Sequence, residues 1–266
     1  MSDGMKKSLL SLMLLLSCCS TPCSGSGDES DVRCLKSFLR SVVDPGGALT
    51  SSWNFDNTTK GYICGFTGVE CWSADQPKVW SLRLSGLGLQ GPFPRGLRDC
   101  ASMTGALDLS GNSFAGPVPA DISLQLPFVT SLDLSYNGFR GAIPPGMGKM
   151  EFLTHVDLGH NQLSGQIPLE LFRLPFLASM NVADNSLSGP IPPFLQRFPA
   201  SSFAGNDGLC GAPLDLCPAS ASREQISAGS SVGAAVGFVL GFVVAFYFPQ
   251  WFVFSGRLHP YVFRFL

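Results

Sequence analysis

Charge is scarce in this chain. Only 14% of its 266 residues are Asp, Glu, Lys or Arg, and the formal net charge is −2. No basic stripe stands out, so the composition excludes a nucleic-acid partner. Histidine is scarcer still, with three residues, and the cysteines lack the closer pairs and in-register histidine of a zinc site. No Ser-His-Asp or Cys-His arrangement presents itself for nucleophilic catalysis. V-A-I-K, H-R-D and D-F-G segments are missing from these residues, which removes phosphotransfer. The expectation is a binding protein, not an enzyme, with no catalytic residue, metal or cofactor.

Turn-formers are abundant instead, with 30 Gly and 20 Pro. Gly86, Gly88 and Gly91 are spaced G-x-G-x-x-G after a strand-like run, and Asp108 follows at a distance suited to a ribose. Pro92 and Pro94 come at once, however, and about a dozen residues separate Gly91 from the next strand, too few for the crossover helix of a dinucleotide fold.

A repeat accounts for those glycines. Val79–Pro94, Thr104–Pro119, Val129–Pro144, Leu153–Pro168 and Leu177–Pro192 align, their starts 25, 25, 24 and 24 residues apart. Each carries apolar residues at positions 1, 4, 6 and 11 (Thr104 alone departs), glycine at 13, an apolar residue at 15 and proline at 16. Asn112, Asn137, Asn161 and Asn185 hold position 9. This is the leucine-rich-repeat pattern: the alternating segment is a short strand with apolar side chains pointing inward, and the asparagine satisfies backbone groups where the chain turns away. The fold class expected is an α/β solenoid of five plant-type repeats with disulfide caps, over residues 79–200, followed by one transmembrane helix.

Both ends of the solenoid read as capped. Over 28–78, Asp31 is placed to N-cap a helix with Val32, Leu35, Leu39 and Val42 on one face, stopped at Asp44-Pro45-Gly46. Trp53 and a Cys64–Cys71 disulfide would cover the first repeat. Over 201–218, Phe203, Leu209 and a Cys210–Cys217 disulfide would cover the last. Cys34 and Cys100 form a third bridge or stay free. Asn57 opens a glycosylation sequon in the N-terminal cap.

The chain ends carry targeting signals. Lys6 and Lys7 before the apolar run Leu9–Leu16, with small residues following, read as a signal peptide over 1–27. After a linker at 219–231, residues 232–254 form an uncharged apolar run able to reach about 34 Å, enough to cross a bilayer. Arg257, Arg264 and the aromatics around Trp251 favour a cytoplasmic tail at 255–266, and hence a single-pass plasma-membrane protein with its N-terminus outside. Gly233, Gly237 and Gly241 recur at the spacing that lets helices associate in lipid.

The Ser-Gly-x-Ile-Pro runs Ser164–Pro168 and Ser188–Pro192, with the motifs "DPGGALTSSWNF", "YICGFTGVECW" and "GNDGLCGAPLDLC", resemble the ectodomains of plant leucine-rich-repeat receptor kinases. The resemblance is to the short, five-repeat receptor-like pseudokinases that interact with somatic embryogenesis receptor kinase coreceptors and hold them away from ligand-binding receptors. It implies a coreceptor ectodomain as partner and a modulating role in immune or hormone signalling. That family continues into a kinase-like domain, and none is present in these residues. A different class, an extracellular inhibitor or adhesion module resembling the polygalacturonase inhibitors, shares the repeat but lacks the anchor. A truncated product with little activity is the third reading.

Positions 2, 3, 5, 7 and 8 of each repeat should form the concave contact face. Trp80, Arg83 and Tyr136 are of the residue types that dominate binding hot spots. Asp108, Asp133 and Asp157 share position 5, where stacked carboxylates repel and a basic partner group would relieve them. Asn181 follows them on the next strand. His155 and His160 lie on the same face and could make partner affinity depend on pH.

Overall fold

A computed structural model describes residues 27–57 and 59–217. Of the expected signal peptide at 1–27 all but Gly27, and the whole of the expected linker at 219–231, span at 232–254 with Gly233, Gly237 and Gly241, and tail at 255–266, lie outside the described residues. Among the described residues no helix is long and apolar enough to cross a membrane.

The five repeats form the rungs of a solenoid with two sheets. Short strands β2 (Val79–Arg83), β4 (Ala106–Asp108), β6 (Ser131–Asp133), β8 (His155–Asp157) and β10 (Ser179–Asn181) pair in parallel on the concave side. Side chains alternate along each strand, so positions 4 and 6 point inward. Leu82, Leu84, Leu107, Leu109, Leu132, Leu134, Val156, Leu158, Met180 and Val182 are accordingly buried. Position 11 adds Leu89, Phe114, Phe139, Leu163 and Leu187, all fully buried. Each such side chain contributes about 1.5–3 kcal/mol. Where Thr104 breaks the pattern, the preceding Met103 fills the core.

The half-repeat that begins after the asparagine makes a second parallel sheet, which the sequence pattern did not announce. Its strands are β3 (Gln90–Gly91), β5 (Ser113–Gly116), β7 (Gly138–Ala142), β9 (Gln162–Gly165), β11 (Ser186–Pro190) and β12 (Gly208–Cys210). The expected α/β solenoid needs correcting on its helical side. Tight 3-10 turns such as Pro145–Lys149, Leu169–Arg173 and Pro193–Leu195 complete most rungs, and only Ile122–Gln125 makes an α-turn. The proline at position 16 leaves too few residues before the next strand for a longer helix.

The repeat asparagines stitch successive rungs together. Asn137 Oδ1 accepts from the Phe114 N–H at 3.0 Å, while Nδ2 donates to the carbonyls of Leu109, Leu134 and Ser135 at 2.9, 3.2 and 3.0 Å. Asn112, Asn161 and Asn185 repeat the arrangement. Asn206 repeats it again, accepting from Leu187 N–H and donating to Val182, so the C-terminal cap is built as a sixth, abbreviated rung.

Helix α1 spans Gly27–Ser41, and its buried face is Asp31, Cys34, Leu35 and Phe38. Asp31 is therefore not an N-cap. It lies inside the helix, fully buried, accepting from the Val79 N–H at 2.8 Å and the Ser102 hydroxyl at 3.1 Å, which ties the helix to β2. Cys34 and Cys100 are bridged, as are Cys64–Cys71 and Cys210–Cys217. Trp53 is buried among Phe38, Phe55 and Phe66 and donates to the Thr67 carbonyl at 3.0 Å. Strand β1 (Val69–Cys71) pairs antiparallel with β2 and closes the edge of the concave sheet.

Candidate functional site

The concave sheet runs β1-β2-β4-β6-β8-β10, and its register places Asp108, Asp133, Asp157 and Asn181 in one row. Asp108 and Asp133 each accept from the backbone and hydroxyl of the serine two residues on, Ser110 and Ser135. Asp157 accepts from the Gly159 N–H and, at 3.1 Å, from the Asn181 amide. Burial raises the pKa of Asp133, the middle rung; the Ser135 bonds oppose this, and the charges of Asp157 and Asp108 add to it.

Arg83 heads this row, in register with Asp108, but is already paired. Its Nε meets Glu70 Oε1 at 2.9 Å, so the capping strand β1 has already supplied its counter-charge. Trp80 stands beside Trp72, ring centroids 6.4 Å apart, and the Trp72 indole donates to the Ser102 carbonyl at 3.1 Å. Gly105 makes room for this pair, because a Cβ there would stand 2.8 Å from the Trp80 ring and 2.2 Å from Ser81 Oγ. Trp80 and Trp72 remain 38% and 52% exposed, so the aromatic surface at this end is usable for contact.

Position 8 behaves differently from what spacing alone suggests. It turns through the left-handed region in all five rungs, at Gly86, Gly111, Tyr136, His160 and Asp184. In the last three the residue carries a side chain, at φ 54°, 52° and 53°. The Tyr136 and His160 rings stack 4.0 Å apart, and His160 Nδ1 lies 3.2 Å from Asp184 Oδ2. The three form a continuous line along the C-terminal ends of the concave strands.

Beside that line lies an open hollow of about 520 Å³ over the third to fifth rungs. Asp133, His155, Asp157, His160, Asn181 and Asp184 are among its lining residues. His155 is exposed and its Nδ1 sits 2.7 Å from Thr154 Oγ1. The structure thus brings eight of the nine expected contact residues, Arg83 to Asn181, onto the rows of one surface, and holds Trp80 beside them at its N-terminal end against the cap. Asp184, Trp72 and Glu70 were missed. Asp184 occupies position 8 of a recognised repeat and was open to prediction; Trp72 and Glu70 come from the cap, whose pairing no repeat register reveals. Phe128, Phe152 and Phe176, each just ahead of a rung, are also exposed. Asn57 is exposed in the cap and accepts from Thr59.

Comparison with known proteins decides what carries this surface. The leucine rich repeat N-terminal domain model matches residues 28–72, and the Leucine Rich Repeat model matches 128–150 and 152–174. The BIR2 ectodomain from Arabidopsis thaliana aligns with 45% identity and a TM-score of 0.68, over 70% of this chain and 98% of that one. The chain belongs to the plant leucine-rich-repeat receptor-like kinase family. A chain of the Arabidopsis BIR3–SERK2 complex is as similar to this family member, at 43% identity and TM-score 0.68 over 71% of this chain and 100% of its own length. Among curated sequences the inactive receptor-like serine/threonine-protein kinase BIR2 is 42% identical over 97 residues, or 36% of this chain. The match spans 16% of that relative's length, so the similarity to the family lies in the ectodomain.

Proposed function

We propose that the protein uses its concave face to bind the ectodomain of a coreceptor of the somatic embryogenesis receptor kinase class, and thereby restrains assembly of that coreceptor with ligand-binding receptors. The observation that carries this reading is the full-length ectodomain similarity to a chain crystallised in the BIR3–SERK2 complex. The geometry supports it: an aromatic pair at one end, Trp72 with Trp80, and the Tyr136–His160–Asp184 line at the other offer anchor residues on a rigid sheet. The acidic row between them favours a partner that presents Lys or Arg.

In this reading the run at 232–254 anchors the protein in the plasma membrane with the repeats outside, and Gly233, Gly237 and Gly241 face another helix. It acts by occupying the coreceptor. The test is biolayer interferometry of the secreted 27–217 unit against a panel of such coreceptor ectodomains. Saturable binding at micromolar or tighter affinity is expected. No binding by a monodisperse, fully disulfide-bonded sample would reject the proposal.

A further inference from the structure

The face of helix α1 that points away from the core is basic. Arg33, Lys36 and Arg40 recur at helical spacing opposite the buried Asp31, Cys34, Leu35 and Phe38, and Glu29 is the one acid near the start of that row. From Arg33 to Arg40 the row runs about 10 Å along the helix. One further cation, Arg95, reaches it from the first rung. Gly96 allows this: a Cβ there would lie 2.2 Å from Ser37 Cβ, and its φ of 86° suits glycine. The close approach sets Arg95 against the helix, where its N–H donates to Ser41 Oγ at 3.0 Å, and Arg98 follows, with Asp99 beside it. The Cys34–Cys100 bridge locks the two segments together.

Between them is an open hollow of about 500 Å³ lined by Ser37, Arg40, Ser41, Pro92 and Arg95. Among the described residues neither guanidinium forms an ion pair. We infer that this cap is a second binding site, separate from the concave face, for a linear anionic polysaccharide bearing carboxylates. Three features select that class. The three disulfides place the domain in an oxidising, extracellular compartment. Cations spread along two turns of helix match a ligand whose charges repeat along its length better than one small anion. The hollow is shallow and sided by serines, which suits a sugar chain lying across it.

The test uses residues 27–217, which contain the three disulfides of the described residues and correspond to the crystallised BIR2 ectodomain. Immobilised de-esterified polygalacturonate is the probe, with fully methyl-esterified pectin and polyglutamate as comparison surfaces. Binding to polygalacturonate should weaken as salt rises, be undetectable on the esterified polymer, and fall roughly tenfold or more in Arg40→Glu/Arg95→Glu. Arg40→Gln/Arg95→Gln, a milder change checked for an unaltered melting temperature, should lose less. Coreceptor binding should survive both variants. Failure to bind polygalacturonate, or equal binding by both variants, would overturn the assignment. Tighter, Arg40-dependent binding to polyglutamate would overturn it in favour of an acidic protein segment.

Discussion

At position 8 the first two rungs carry Gly86 and Gly111, the last three carry Tyr136, His160 and Asp184, and all five adopt a positive φ. For glycine that conformation is free of steric cost; for the other three it costs about 1 kcal/mol or more each. The N-terminal rungs are also the ones held by the cap: β1 pairs with β2, Asp31 binds the Val79 N–H, and Arg83 is matched by Glu70. Among the described residues, the C-terminal rungs have the short Asn206 rung beyond them, and their hollow lies open. One end of the solenoid is thus spent on stability, while the other retains strained, exposed side chains whose arrangement serves contact.

This division can be broken first at the cap. Cys34–Cys100 closes a loop with a sequence separation of 66 and Cys210–Cys217 one of 7. Chain-entropy arithmetic gives about 4 kcal/mol for the long loop and about 2.4 kcal/mol for the short one. Urea unfolding of Cys34→Ser/Cys100→Ser should therefore show the larger loss, and equal losses would mean that the two ends are stabilised alike.

The asparagine stack sharpens the comparison from inside. Asn137→Ala leaves the Phe114 N–H without its acceptor, while the Leu109, Leu134 and Ser135 carbonyls keep the Asn112 amide, the Asn161 amide and the Gly111 N–H as donors, so a loss of about 2 kcal/mol is expected by the same measurement. A loss below about 1 kcal/mol would show that water replaces the side chain there.

The smallest effect belongs to Asp133. Burial raises its folded pKa above the ordinary 3.8, so its protonated form is the better accommodated one and its contribution falls away as pH rises through the folded value. Asp133→Asn should raise the Tm at neutral pH by no more than about 2 °C, and the difference should vanish below pH 3.8. A destabilised variant at neutral pH would reverse the sign of this account.

Much of this architecture was legible because it is local and periodic. The rung spacing, the inward positions, the asparagines and the two short disulfides all sit within single repeats or caps. What escaped depends on distant segments meeting. Asp31 looks like a helix cap until Val79 and Ser102 are brought to it, and Cys34 finds Cys100 only after the helix packs on the first rung. Asn206 follows Asn185 by 21 residues in place of 24 or 25, which hides it from the repeat register. The site was half visible: the rows were predictable, but the neutralisation of Arg83 by Glu70 and the positive φ that aligns Tyr136, His160 and Asp184 belong to the folded chain.

The most direct measurement is coreceptor affinity of Tyr136→Gly beside wild type, with the melting temperature of each. Glycine suits the backbone at this position, so the fold should change in stability by less than about 1 kcal/mol, while affinity should fall at least about tenfold as the ring stacked on His160 is lost. Unchanged affinity in the folded variant would contradict the assignment of partner binding to this face.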